Sequence, residues 1–292
     1  MDSLREKSVM SLTTYLGARA RICPSQPDGK KRWKFESPLL AAHQLNTFVS
    51  ANFIDTTFDV RGGPESLRQR IADICLSSAD WVRGGADVLV LSDRLANSNR
   101  AAIPPLLMVS AIHHHLIKVQ LRLETSLVSQ SGEIRDSHQI ASLISFGADA
   151  VQPYSVELLA TELIGSSGWL KGSAEEAFER YRAGISKSLL KVMSKLGIST
   201  LQSYCGSQAF EILGLSEELV NEYFPGTATR MGGLDLEILT EEILRRWQSV
   251  DAVAELPSEL SSLPSRGDVH YRSGGEFHQW NPQTLTLLQS AT

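Results

Sequence analysis

Apolar positions along the chain change period several times, and each change predicts an element. Residues 53–60 are β-rich, with Thr56, Thr57 and Phe58, and are bounded by Arg61-Gly62-Gly63-Pro64. Residues 65–82 carry Leu67, Ile71, Ile74, Cys75 and Ala79 at helical spacing, and Gly84-Gly85 ends that pattern. Asp-Val-Leu-Val-Leu at 87–91 is a continuous apolar run of strand length, as expected of a strand covered on both faces. Helical spacing returns over 104–119, followed by a strand at 125–129, a helix at 137–145, a strand at 148–152 and a helix at 155–164. Strands alternating with helices imply right-handed crossovers and a parallel sheet. The expected fold class is therefore α/β. Its parallel strands alternate with helices in a partial, barrel-like or open βα layer, and a more helical C-terminal part follows.

The flanks read differently. Residues 1–36 form a lead-in, with a short helix over 8–17 and a turn-rich polar link over 23–32. Ser37-Pro38 reads as the N-cap and first residue of a helix reaching about residue 47. After a glycine-containing loop at 166–172, a long helix over 174–196 places Ile185, Leu189, Val192, Met193 and Leu196 on one stripe. Its Lys187, Lys191 and Lys195 share another face, suited to solvent or an acidic partner. A short strand is predicted at 198–201, helices at 207–213, 216–223 and 236–254, and a loop at 225–233. The tail lacks periodicity from 256 until 282–289. The resulting division is a lead-in over 1–36, an α/β domain over 37–255 and an irregular segment over 256–292.

Composition narrows the class further. With 292 residues, 42% hydrophobic and 21% charged, the chain is of ordinary globular make-up. Lys plus Arg number 28 against 33 for Asp plus Glu, a formal charge of −5, which argues against a nucleic-acid footprint. No apolar stretch reaches the roughly 18 residues of a membrane-spanning helix. The opening Met-Asp-Ser-Leu-Arg-Glu lacks the pattern of a secretory signal. Three scattered cysteines, Cys23, Cys75 and Cys205, suit a reducing cytoplasm and no disulfide framework.

Candidate chemistry is sparse. His113-His114-His115 is the most conspicuous run, but consecutive helical residues point about 100° apart, so only one or two of them can share an ion. Packing, hydrogen bonding or an interface is the preferred account of the run, and its place late in a helix, which favours a partly charged imidazole, is reason enough for it. Ser92-Asp93-Arg94 directly follows the apolar strand, where ligands of parallel α/β folds sit. One open alternative is a stand-alone metal-assisted α/β enzyme using Asp93, the histidine run and His138. Gln130-Ser131-Gly132-Glu133 follows the next strand, and Gly147-Ala148-Asp149 enters a later one. Thr229-Arg230-Met231-Gly232-Gly233 and Ser273-Gly274-Gly275 fit neither a dinucleotide fingerprint nor a P-loop. No nucleophile elbow is present. Cys75 reads as core, and Cys205, though near a helix start that could lower a thiol pKa, reads as incidental. No catalytic, cofactor-binding or metal residue is assigned.

Longer words carry a resemblance. Leu89-Val90-Leu91-Ser92-Asp93-Arg94, then Ile103-Pro104-Pro105-Leu106-Leu107 and Val109-Ser110-Ala111-Ile112-His113-His114-His115-Leu116-Ile117, resemble the central region of the glutamate synthase large chain. The likeness continues through residues 187–203, Tyr223-Phe224-Pro225-Gly226-Thr227, Arg230-Met231-Gly232-Gly233 and residues 274–282, and it reaches forward to 11–17 and 55–58. It departs at Leu95, where relatives often have glycine, and at Cys205, where they often have arginine or histidine.

The resemblance implies a multidomain enzyme making two glutamates from glutamine and 2-oxoglutarate. In that family an amidotransferase domain with an N-terminal cysteine releases ammonia, which crosses a tunnel to an FMN-bearing barrel. An iron–sulfur cluster brings electrons from ferredoxin or an NADPH-oxidising subunit. This chain is expected to be the linking region, non-catalytic by itself and without a cofactor of its own. Asp2 follows Met1 where the amidotransferase would place its cysteine, and three cysteines fall short of an iron–sulfur ligand set. Its partners would be the amidotransferase and FMN domains, with no nucleic acid and no membrane. Ser92, Asp93, Arg94, His113, His114 and His115 are the interface or tunnel candidates.

Overall fold

A computed structural model describes residues 6–19, 32–47, 52–166, 171–254 and 271–291. The chain divides into two compact units, Met1–Arg245 and Arg246–Thr292.

In the first unit, α1 (Glu6–Val9), β1 (Thr14–Leu16), β2 (Trp33–Phe35) and α2 (Ala42–Leu45) precede the main layer. There follow β3 (Asn52–Asp55), β4 (Thr57–Asp59), α3 (Gly63–Arg83), β5 (Val88–Ser92), β6 (Arg100–Ala102), α4 (Pro105–Lys118), β7 (Ser126–Gln130), α5 (Ser137–Ser145), β8 (Ala150–Gln152) and α6 (Tyr154–Ser166). The C-terminal part holds α7 (Ala174–Leu196), α8 (Leu201–Tyr204), β9 (Ile212–Leu215), α9 (Glu217–Tyr223), β10 (Thr229–Leu234) and α10 (Leu236–Ala254). The second unit carries α11 (Pro282–Ala291), opened by Asn281, whose side chain accepts from the Thr284 N–H at 2.9 Å.

Strands β3, β5, β7 and β8 form one parallel sheet in chain order. Right-handed crossovers with neighbours always sequential place α3, α4 and α5 on a single face. That is the winding of a barrel segment rather than of a doubly wound sheet, whose strand order reverses. The opposite face would stay bare without the front of the chain. Leu16, Leu40 and Leu45 fill it against Val88, Val90, Val128 and Ala150, with Trp33 and Phe35 packed alongside. Pro38–Leu40 also borders β8: the Val151 N–H donates to the Pro38 carbonyl and the Leu40 N–H to the Val151 carbonyl, both at 2.8 Å. Each large aliphatic side chain so buried stabilises by about 1.5–3 kcal/mol.

The strand expected at 53–60 breaks into β3, in the parallel sheet, and β4, paired antiparallel with β6; from α3 onward the alternating elements stand close to their expected bounds, and local chemistry explains why. Asp136 and Gln139 form a reciprocal capping box at the start of α5, and Ser173 caps α7 by accepting from the Glu176 N–H. Several flanking expectations fail. The helix at 8–17 is instead the single turn α1 followed by β1, and Ser37-Pro38 opens no helix. Residues 198–200 contribute only a bridge, Thr200 to Ser11, before α8; no helix forms over 207–213, where β9 starts at Ile212, and the loop at 225–233 holds most of β10. In each case a short segment takes its conformation from a neighbour rather than from its own periodicity. Lys191 in the lysine stripe does meet an acid, Glu6, at 2.9 Å.

Candidate functional site

Polar side chains gather at both ends of the sheet. At the C-terminal end, strand register aligns Ser92, Gln130 and Gln152. Period-two alternation puts them on the face of Val90, Val128 and Ala150. The Ser92 hydroxyl donates to Gln130 Oε1 at 2.6 Å, and Gln130 Nε2 donates to Gln152 Oε1 at 2.9 Å. Gln152 Nε2 ends this row, buried and without a partner. One residue beyond Ser92, the Asp93 carboxylate accepts from the Ser131 hydroxyl and from the Gly132 N–H at 3.2 Å. Arg94 lays its guanidinium over the Tyr154 ring, 4.5 Å from the centroid. Burial, reinforced by the Asp93 charge, holds the Tyr154 hydroxyl protonated well above its ordinary range. A recess of about 420 Å³ opens here, lined by Asp55, Ser92, Arg94 and Gln130 among others. Asp55 is already committed, because Arg100 Nη2 donates to it at 2.6 Å and Thr57 Oγ1 at 2.7 Å.

The N-terminal end is charged and more deeply enclosed. Arg122 donates through Nε to His113 Nδ1 at 2.9 Å. It donates through Nη1 to the Thr125 carbonyl, and through Nη2 to the Gly147 carbonyl and Asp149 Oδ2, each at 2.8 Å. The Leu127 N–H also donates to Asp149 Oδ2 at 2.8 Å. The two charged side chains are only 7% and 9% exposed. Arg19 approaches the other carboxylate oxygen at 3.8 Å, and the Cys205 thiol donates toward it at 3.7 Å. Burial, with Arg122 next, pushes His113 down to about 3, so it is neutral and its Nδ1 accepts. Gly147 is required at this junction: its φ of +119° suits glycine, and a side chain there would run into the His113 ring. A recess of about 400 Å³ lined by Arg19, His113, Arg122 and Cys205 borders the cluster.

The six sequence candidates therefore separate. Ser92, Asp93 and Arg94 stand together at the C-terminal end, whereas His113 points to the opposite end. His114 and His115 border a groove of about 620 Å³ between α3, α4 and α9, their Nε2 atoms buried and unpartnered. The metal-assisted alternative finds no support: Asp93 and His113 stand at opposite ends of the sheet, and His138 lies edge-on to Phe210, 5.5 Å between centroids. Among the described residues no group of three His, Cys, Asp or Glu side chains suits a metal. The macrodipole reading of the histidine run fails too, because burial lowers all three pKa values and disfavours the charged form. Cys205 follows α8 rather than opening it, and burial beside Asp149 pushes its thiol up to about 12. Cys75 is core, as expected, and Cys23 lies outside the described residues.

Sequence reasoning missed Arg122 altogether, together with Arg19, Asp55, Arg100 and Gln152. One signal was available: strands β5, β7 and β8 each end an apolar run on a hydroxyl or amide, at Ser92, Gln130 and Gln152. The Ser131 hydroxyl and Gly132 N–H at these strand ends are both taken by Asp93, so neither is free for a phosphate.

Comparison with known proteins follows the same lines. Residues 1–216 match the family described as the glutamate synthase central domain. The whole chain aligns at 38% identity with the glutamate synthase [NADPH] large chain of Bacillus subtilis (strain 168), covering 19% of that protein. It aligns at 36% with the ferredoxin-dependent glutamate synthase of Pyropia yezoensis, covering 20%, and at 36% with the chloroplastic one of Spinacia oleracea, covering 19%. The chain thus spans about one fifth of the length of these curated relatives. The recombinant flavin-binding domain of baker's yeast flavocytochrome b2 overlaps 55% of this chain and 40% of its own at 16% identity, but with a TM-score of 0.34, too low to carry an argument. No helix among the described residues is long and apolar enough to cross a membrane.

Proposed function

The chain belongs to the glutamate synthase central-domain family, and from that premise we propose that it is a scaffold linking two reactive modules of a longer polypeptide. One neighbour is a glutamine amidotransferase domain and the other an FMN domain. The parent reaction is glutamine plus 2-oxoglutarate to two glutamates, with electrons from ferredoxin or an NADPH-oxidising subunit through an iron–sulfur cluster. FMN and the cluster belong to domains outside this chain. The working compartment is the cytoplasm, or the stroma in a photosynthetic eukaryote.

One observation carries this reading: most polar groups at the sheet ends are bonded to one another, as a fixed wall requires and a reactive centre does not. A passage for small, neutral ammonia needs packed and immobile sides more than charged catalytic groups. Ser92, Asp93 and Arg94 at one end, and His113, His114 and His115 on α4, are the interface or tunnel-lining groups of this proposal. The test is made in the full-length parent polypeptide with Arg94→Trp and His114→Trp. The expected result is that more glutamine is hydrolysed than 2-oxoglutarate is consumed, with free ammonia escaping into the medium. Tight coupling kept by both folded variants would overturn the wall role.

A further inference from the structure

Residues 229–234, which match no known phosphate-binding fingerprint, pair as β10 with β9 into a parallel two-stranded ribbon. The ribbon is closely built. Gly214 sits at φ +83°, and any side chain at Gly233 would collide with the Gly214 carbonyl, so the two backbones approach more tightly than other residues allow. Helix α9 packs against both strands and is capped by Ser216, whose N–H donates to the Leu234 carbonyl at 2.8 Å. Nothing among the described residues pairs with a further edge.

What the ribbon shows to solvent is apolar. Register places Met231 opposite Leu213 and Leu234 opposite Leu215. Met231 and Leu213 are 62% and 61% exposed, and Leu234 is 36% exposed. The one charged residue within β10, Arg230, is largely exposed and meets Glu211 at 3.1 Å through its Nε. A two-stranded ribbon is marginal by itself, and an open edge beside an apolar stripe invites another strand. The stripe of Met231, Leu213 and Leu234 carries no charge for an occupant to complement, so it suits an apolar one. The curated relatives supply the source, since about four fifths of their length lies outside the aligned segment.

We propose that β9 and β10 form a docking face for an uncharged, apolar β-strand from a domain of the parent polypeptide beyond residues 1–292, which pairs with the β10 edge and covers Met231 and Leu213. The inference rests on the family reading only for the existence of that domain.

Methionine oxidation tests it in the full-length polypeptide. Dilute hydrogen peroxide is applied and sulfoxide formation is followed by mass spectrometry, with the core residues Met108 and Met193, 1% and 0% exposed, as internal standards. Met231 is expected to oxidise about as slowly as those two, and roughly tenfold or more slower than a methionine in an unfolded peptide. Leu213→Asp should restore fast oxidation of Met231 while Met108 and Met193 stay protected, which also shows that the fold persists. Fast oxidation of Met231 in the unaltered polypeptide overturns the proposal, as does protection that survives Leu213→Asp. Protection that disappears on dilution would assign the face to a second copy and overturn it as well. Failure here, with the Arg94 and His114 variants still uncoupling ammonia, would leave the scaffold standing without this contact.

Discussion

The two ends of one sheet solve the burial of polar groups in opposite ways. The N-terminal end buries a full charge pair, Arg122 and Asp149, and gives the guanidinium four acceptors from three different segments. The C-terminal end buries a neutral relay, a hydroxyl feeding an amide feeding a second amide with one donor left over at Gln152 Nε2, and beside it a single carboxylate, Asp93, met by a hydroxyl and a backbone N–H rather than by a counter-charge. A buried charge tolerates no missing partner, whereas a neutral relay survives one. Ligand chemistry in parallel α/β folds belongs at the strand C-termini. Here the strongest electrostatic centre lies at the other end, where it fastens α4 to the entrances of β7 and β8. The most chemical-looking cluster in the molecule is thus a clamp.

Replacing the clamp's cation is expected to have the largest effect. Arg122→Met leaves Asp149 buried without its counter-charge and deprives the Thr125 and Gly147 carbonyls and His113 Nδ1 of their donor. Urea unfolding should show a loss of about 3–5 kcal/mol. Adding Asp149→Asn to Arg122→Met should recover part of it, because the uncompensated charge is gone. A loss of under about 1 kcal/mol would mean that water reaches this end, and the contrast between the two ends would collapse.

The next effect is on pH. His113 is held neutral by burial and then by Arg122, with His114 and Arg19 acting in the same direction and Asp149 opposing. Its folded pKa of about 3 lies below the unfolded value of 6.5, so its contribution is complete above 6.5. As the pH falls from 6.5 toward 3, the unfolded chain takes up a proton that the folded one refuses. Stability should drop by about 1.4 kcal/mol per pH unit for that proton. His114 and His115, also lowered by burial, add in the same direction. Carboxylates titrate in this window too, so the informative quantity is a difference. His113→Gln, whose side-chain oxygen accepts from Arg122, should flatten the slope by one proton; an unchanged slope would place the imidazole in solvent.

This contrast between ends was only half legible in the sequence. The sheet itself was plain, because Val-Leu-Val-Leu at 88–91 and the helical spacing of Leu67, Ile71, Ile74 and Cys75 are strong local signals. Ser92, Asp93 and Arg94 were found because they directly follow such a run. Arg122 was not, since it lies in a short turn between α4 and β7 and its partners at 113, 125, 147 and 149 come together only through crossovers. Strand β10 was hidden for a related reason: Met-Gly-Gly-Leu reads as a loop until β9 lies beside it. The concave face was obscured as well, because it is covered by β1, β2 and α2, elements of three or four residues too short to show a period.

The smallest effect is expected at the neutral end. Gln130→Leu removes the middle of the relay and leaves the Ser92 hydroxyl and the Gln152 carbonyl oxygen without each other's mediator. Leucine has nearly the same reach and the site is buried, so the apolar contacts survive and the cost is that of unpaired neutral groups, about 1–3 kcal/mol. No proton is linked to Ser92, Gln130 or Gln152 in the range where His113 acts. The Gln130→Leu loss should therefore be the same at pH 5 and pH 7, two conditions between which the His113→Gln difference changes markedly. A pH-dependent loss would show that a titrating group is coupled to the relay. The C-terminal end would then be an acid–base unit rather than a neutral one, and the wall assigned to it would carry chemistry after all.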